Sequence, residues 1–184
     1  MSITGPEKLL LDVVKILNDL KIKYFITGGY AISIWGRPRS TADIDIVIEL
    51  IEPQIKLLLK ALKKISQAGY VDEDTAKYAV KHKGEFNFID PETGMKVDFW
   101  VAKKDKISEL KYKNRIAKKI SNRSIYFISP EDLIISKLLW YKETMSSRHL
   151  EDAESVLKFS KINKVYLKNI AKELNVLDAL NNHV

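Results

Sequence analysis

The sequence predicts an α+β (mixed α/β) protein: a mixed β-sheet flanked by helices over residues 1–128, then a helical subdomain over 129–184. Three observations predict it. Up to about residue 128, short β-rich runs alternate with stretches of helical apolar spacing. From Ser129 onward the pattern is helical throughout. A chain of 184 residues, 46% apolar and 30% charged, has the size and composition of one domain, or of a core with an appendage.

Residues 7–20 read as an amphipathic helix, with Leu10, Val13, Val14, Leu17 and Leu20 on one stripe. Tyr24 to Thr27 is a short β-rich run ended by Gly28-Gly29, and Ala31 to Trp35 fits a brief helix closed by Gly36 and Pro38. Ile44 to Ile48 is the second strand. A helix starts near Pro53, shows Ile55, Leu58, Leu59, Leu62 and Ile65 on one face, and has Gly69 as its expected C-terminal stop. Asp72 to Lys83 fits helix and strand equally. Residues 86–89, 90–94 and 96–101 read as strand, turn and strand. Lys103 to Asn122 is Lys-rich and predicts a surface helix with connections, followed by a strand over Ser124 to Ile128. Ser129-Pro130-Glu131-Asp132 is a helix start: a capping hydroxyl, Pro at the first helical position and acids in the first turn. Helices follow near 130–144, 148–159, 163–174 and 176–182. No internal repeat or low-complexity linker interrupts the chain.

There is no cysteine, which excludes disulfides and thiolate metal sites. The N-terminus Met-Ser-Ile-Thr-Gly-Pro-Glu shows no basic segment leading into an apolar run, and no apolar run is long enough to span a bilayer. A cytoplasmic location and no membrane partner are expected. The net charge of +7 favours a polyanionic partner, a nucleotide or a nucleic acid, and equally describes a Lys-rich solvated surface. His82, His149 and His183 have no metal-ligand spacing. Asp-Ile-Asp-Ile-Val-Ile lacks the sixth-position glycine of a calcium loop.

The chemistry concentrates between Ile26 and Glu49. Alternate residues of a strand share a face, so Asp43 and Asp45 point one way while Ile44, Ile46 and Ile48 point the other. The two acids lie about 6.6 Å apart along the strand. Two like charges at that spacing suit a hard divalent cation such as Mg²⁺. On the later strand, Lys96, Asp98 and Trp100 share a face opposite Val97, Phe99 and Val101, which makes Asp98 a third strand carboxylate.

Gly28-Gly29, a spacer, Asp43-x-Asp45 and the isolated strand acid Asp98 resemble the DNA polymerase β superfamily of nucleotidyltransferases. The segment Arg39-Ser-Thr41-Ala-Asp43-Ile-Asp45 is similar to the branch that holds abortive-infection type toxin nucleotidyltransferases. The resemblance covers residues 24–102 and, more faintly, 129–152. It implies a nucleotidyltransferase core that moves a nucleoside monophosphate from an NTP to an acceptor hydroxyl on RNA, protein or a small molecule, with Mg²⁺ or Mn²⁺ as cofactor. Two ions stabilise both ends of such a displacement. Asp43, Asp45 and Asp98 are then the catalytic and metal-binding residues, with Asp98 on the acceptor side as ion ligand or base. Gly28 and Gly29 let backbone amides approach phosphate, and Arg39 and Thr41 contact the triphosphate or hold the loop. Many members carry Gly-Ser here. This chain has Gly29-Tyr30, with Thr27 and Ser33 as nearby hydroxyls.

Lys137 interrupts an apolar helix, Leu-Ile-Ile-Ser-Lys-Leu-Leu-Trp-Tyr, where a charge is out of pattern. Either it reaches the β- and γ-phosphates of the nucleotide, or it snorkels to water. The toxin branch is similar in having a helix Lys followed by a basic residue and an Asp, as in Arg148 and Asp152; alternatively these two form an i,i+4 ion pair. The same resemblance implies an antitoxin partner. Two other functions fit the sequence. One is a non-catalytic nucleotide- or metal-binding regulator on the same fold. The other is a basic nucleic-acid-binding module with Tyr112, Tyr126 and Tyr141 as stacking residues.

Overall fold

The computed structural model describes residues 5–183. Met1–Thr4, part of the N-terminal segment expected to carry no leader, and Val184 lie outside the described residues, as does the side chain of His183. The elements run α1 (Pro6–Asp19), β1 (Tyr24–Ile26), α2 (Gly28–Trp35), β2 (Asp43–Ile48), α3 (Glu52–Leu62), β3 (Tyr70–Val71), α4 (Glu73–His82), β4 (Glu85–Asp90) and β5 (Met95–Val101). They continue as α5 (Lys106–Asn114), β6 (Ile116–Ile120), β7 (Arg123–Phe127), α6 (Pro130–Thr144), α7 (Ser147–Phe159), α8 (Lys164–Glu173) and α9 (Leu177–His183).

Two compact units divide the chain. One holds residues 1–27 and 41–127, the other 28–40 and 128–184. The limits expected from sequence, 1–128 and 129–184, differ from this division by residues 28–40 and by residue 128. The reason is a long-range packing contact: α2 packs on α6 and α7. Trp35 Nε1 donates to the Ile128 carbonyl at 2.9 Å, and Ser160 Oγ donates to the Trp35 carbonyl at 2.6 Å.

The first unit is built on a mixed seven-stranded sheet of order β3-β4-β5-β2-β1-β7-β6. β2 runs parallel to β5 and β1 parallel to β7; the other pairs are antiparallel. Ile44, Ile46 and Ile48 of β2, with Val97 and Phe99 of β5, are buried to the last few per cent. Burying such side chains stabilises a fold by about 1.5–3 kcal/mol each, which fixes the register of the central strands. Residues 73–82, ambiguous in sequence, form a helix because Asp72 accepts from the Thr75 amide at 2.6 Å and Glu73 and Asp74 fill the first turn. Gly69 does not stop a helix, since α3 ends at Leu62. It lies against Phe88, whose ring a Cβ there would meet at 2.6 Å. The Lys-rich stretch holds α5 and also the edge strand β6, joined to β7 by Ser121 and Asn122, both at positive φ. Tyr112 is buried edge-on against Phe25, so it offers no face for base stacking.

The second unit is all helix. Ser129 caps α6, its Oγ accepting from the Asp132 amide at 3.1 Å, and Pro130 follows at the first position, as the sequence predicts. Asn163 caps α8 in the same way. Gly36 closes α2 against α7, where a Cβ would meet Ser155 Oγ at 2.6 Å. Among the described residues no helix is long and apolar enough to cross a membrane.

Candidate active site

In the first unit the strand register assembles an acidic face. β2 alternates half-buried and buried residues from Asp43 to Ile48, so Asp43 and Asp45 face away from the isoleucine side. In the parallel pairing of β2 with β5, Asp45 lies opposite Asp98 and Asp43 opposite Lys96. Paired residues of adjacent strands share a face and stand about 4.8 Å apart. Asp43, Asp45, Lys96 and Asp98 therefore occupy one face of the sheet.

Each partner bond has a local cause. Thr41, at the entry to β2, donates Oγ1–H to Asp43 Oδ1 at 2.6 Å and so orients that carboxylate. Lys96 and Asp98, two residues apart on β5, point the same way and form an ion pair of 2.9 Å. Asp98 is buried, at 8% exposure, whereas the Lys96 side chain keeps 43% of its surface exposed. The hydrogen bond to Asp98 pushes the Lys96 pKa above its ordinary value. Among the described residues no three acid or histidine side chains converge closely enough to hold an ion by themselves. The donors are nonetheless hard carboxylate oxygens, and one of them already carries a cation, the Lys96 ammonium. That chemistry fits a divalent ion.

The second unit holds the remaining candidates. α2 begins at Gly28, earlier than the Ala31 start expected from sequence, so both glycines belong to its first turn, where backbone amides lack helical partners. Gly28 has φ of 59°, a left-handed conformation that a side chain would strain. Ser33 Oγ is used locally, donating to the carbonyls of Gly29 and Arg39 at 3.2 and 3.4 Å.

Arg39 and Lys137 meet on one carboxylate. Arg39 donates Nε to Asp152 Oδ1 at 2.9 Å and a terminal nitrogen to Oδ2 at 3.0 Å. The Lys137 Nζ lies 2.8 Å from Oδ2. The Lys137 side chain is 10% exposed, so it does not snorkel. Its charge is matched inside the helical unit. Burial on its own would raise the Asp152 pKa, but hydrogen bonds from Arg39 and Lys137 and their charges hold it below the usual carboxylate value. Burial first, and then the Lys137 charge, lower the pKa of neighbouring His149. Beside the triad, Arg37, Arg39, Asp152, Ser155, Lys158 and Phe159 line a cavity of about 450 Å³.

Sequence reasoning missed two things here. Alternation puts Lys96 on the face of Asp98, but it does not say that the two form an ion pair there. The convergence of Arg39, Lys137 and Asp152 had no local signal, because Arg39 and Asp152 are 113 residues apart.

The sheet and helices define the class as the nucleotidyltransferase fold. ANT(2'')-Ia, an antibiotic-resistance factor, superposes in its solution structure with a TM-score of 0.61 at 15% identity, over 96% of this chain and 97% of that one. Its crystal structure in complex with adenylyl-2''-tobramycin gives 0.62 at 16%, over 91% and 97%. The lincosamide antibiotic adenylyltransferase LnuA, bound to lincomycin, gives 0.57 at 13%, over 86% and 100%. An antigenic nucleotidyltransferase-like protein from Paracoccidioides brasiliensis gives 0.57 at 18%, over 95% and 92%. No curated protein matches the sequence significantly. Over residues 8–183 the chain belongs to the family described as nucleotidyltransferase of unknown function (DUF6036). The match runs through the helical unit as well as the sheet, beyond the stretch over which the sequence resemblance is strong.

Proposed function

We propose that the chain is a divalent-cation-dependent nucleotidyltransferase that moves a nucleoside monophosphate from an NTP to an acceptor hydroxyl. The observation that supports this best is the β2–β5 register, which sets Asp98 opposite Asp45 and on the same face as Asp43. The acceptor hydroxyl loses its proton to a base, Asp98 or water, its oxygen forms a bond to the α-phosphorus, the bond from that phosphorus to the bridging oxygen breaks, and pyrophosphate leaves with the electron pair. In the two-metal form of this reaction, Mg²⁺ or Mn²⁺ would neutralise charge on the attacking and leaving oxygens. Asp43 and Asp45 would be ligands on the triphosphate side and Asp98 on the acceptor side. Thr41 orients Asp43. By the family resemblance, Gly28 and Gly29 would offer amides to phosphate, and Arg39 and Lys137, both paired with Asp152, would supply positive charge.

The acceptor class is tested in the order of what the fold's relatives bind. ANT(2'')-Ia and LnuA are known with antibiotics, so small hydroxylated molecules come first, then RNA and protein. Pyrophosphate release from each NTP with Mg²⁺ or Mn²⁺ should occur in the wild type and be lost in Asp43→Asn and Asp45→Asn. Equal release from all three proteins ends this proposal. A toxin role predicts growth arrest on expression, relieved by Asp45→Ala.

A second function, a nucleotide- or metal-binding regulator without turnover, is favoured by one observation. Asp98, Arg39 and Lys137 are all already engaged in ion pairs. Calorimetric binding of nucleotide without turnover on any acceptor supports it.

A further inference from the structure

We propose that Lys96 is a built-in competitor for the cation at Asp98, so that an ion enters at Asp98 only as the lysine ammonium leaves. This rests on the metal-dependent function above and deepens it, because it makes the two ion positions unequal.

The geometry carries the inference in three steps. First, the Lys96 Nζ lies 2.9 Å from Asp98 Oδ2, on an oxygen that an acceptor-side ion would need. A divalent ion and an ammonium bound to one carboxylate repel each other, so their occupancies are exclusive or strongly opposed. Second, the two partners differ in freedom. Asp98 is buried and fixed in the central strand, whereas 43% of the Lys96 side chain is exposed, on a flexible four-carbon stem. The ammonium can swing into water while the carboxylate stays. Third, the other end of the acidic face is held differently. Asp43 receives a neutral hydroxyl from Thr41, which orients the carboxylate without adding positive charge. Lys96 stands opposite Asp43 in the register, but its ammonium is bonded to Asp98, so an ion at Asp43 feels that charge only through space. Lys96 therefore neutralises Asp98 while ion is scarce and weakens the acceptor-side position relative to the triphosphate-side one.

The test is a Mn²⁺ titration of the full chain, followed by the electron paramagnetic resonance of the free ion. Wild type should show a tighter and a weaker class of site. Lys96→Gln should tighten the weaker class by about tenfold or more and the tighter class by clearly less. Lys96→Arg keeps the charge and should behave as wild type. Asp98→Asn should abolish the weaker class. Lys23→Gln, which removes a lysine paired with Glu49 beyond the other end of β2, should change neither class. A wild type that binds one ion and a Lys96→Gln variant that binds two is the limiting form of support. A weaker class unchanged in Lys96→Gln, or tightened equally in Lys23→Gln, overturns the proposal. Loss of the tighter class in Asp45→Asn then still upholds the metal-dependent function. Absence of Mn²⁺ binding from every protein overturns both.

Discussion

Thr41 shows how much a single hydroxyl can do on this sheet. Its bond to Asp43 Oδ1 orients a half-buried carboxylate at the start of β2. Partners that orient a ligand typically matter by about 10–100-fold. Thr41→Val should therefore lower kcat/KM for nucleotidyl transfer by about that factor, and Thr41→Ser should restore most of it. Steady-state kinetics of the two variants checks this. Asp152 is the other decisive residue. It balances Arg39 and a nearly buried Lys137. Removing one partner of a buried ion cluster leaves uncompensated charge and costs about 3 kcal/mol or more. Asp152→Ala should lose about that much in urea denaturation. A loss within experimental error would show that water reaches both cations.

Elements differ in how far the sequence announces them. β2 is legible because its Ile–Asp alternation has one physical solution, isoleucines inward. α6 is legible because Ser129 and Pro130 form a start signal that needs no tertiary help. β6 is not legible: among its residues Ile116 to Ile120 none is fully buried, so no apolar alternation marks it. What holds it is pairing with β7 across a two-residue turn, and Ser-Asn is a weaker turn signal than Asn-Gly. The two-residue β3 is too short for any period. The acidic face was readable strand by strand, but the pairing of Asp45 with Asp98 is a register, and register is a tertiary fact. The place of α2 in the helical unit is equally non-local, since it depends on Gly36 meeting α7. Gly36→Ala should destabilise that packing by about 1–3 kcal/mol, because the added methyl meets Ser155 at both side chain and backbone. A thermal melt of the variant at fixed pH checks the direction.

For the molecule as a whole, the depressed pKa values of two partly buried groups contribute to the acid limb of stability. His149 is held below its ordinary value by burial and by Lys137. A depressed group binds protons more readily when unfolded, so its contribution is present above about pH 6.5 and is lost as pH falls through the lowered folded value. Asp152 follows the same sign lower down. Its contribution is present above about pH 4 and is lost as pH falls through a folded value lower still. Urea denaturation between pH 3 and 8 should show stability falling in two stages as the solution is acidified. His149→Gln should remove the upper stage and leave the lower.

The acidic face itself is most directly tested by anomalous diffraction from crystals grown with Mn²⁺ and a non-hydrolysable NTP. A manganese peak within coordination distance of both Asp43 and Asp45, with the triphosphate beside it, is expected. An ordered nucleotide with no manganese near either aspartate would contradict the assignment of this face to cation-dependent nucleotidyl transfer.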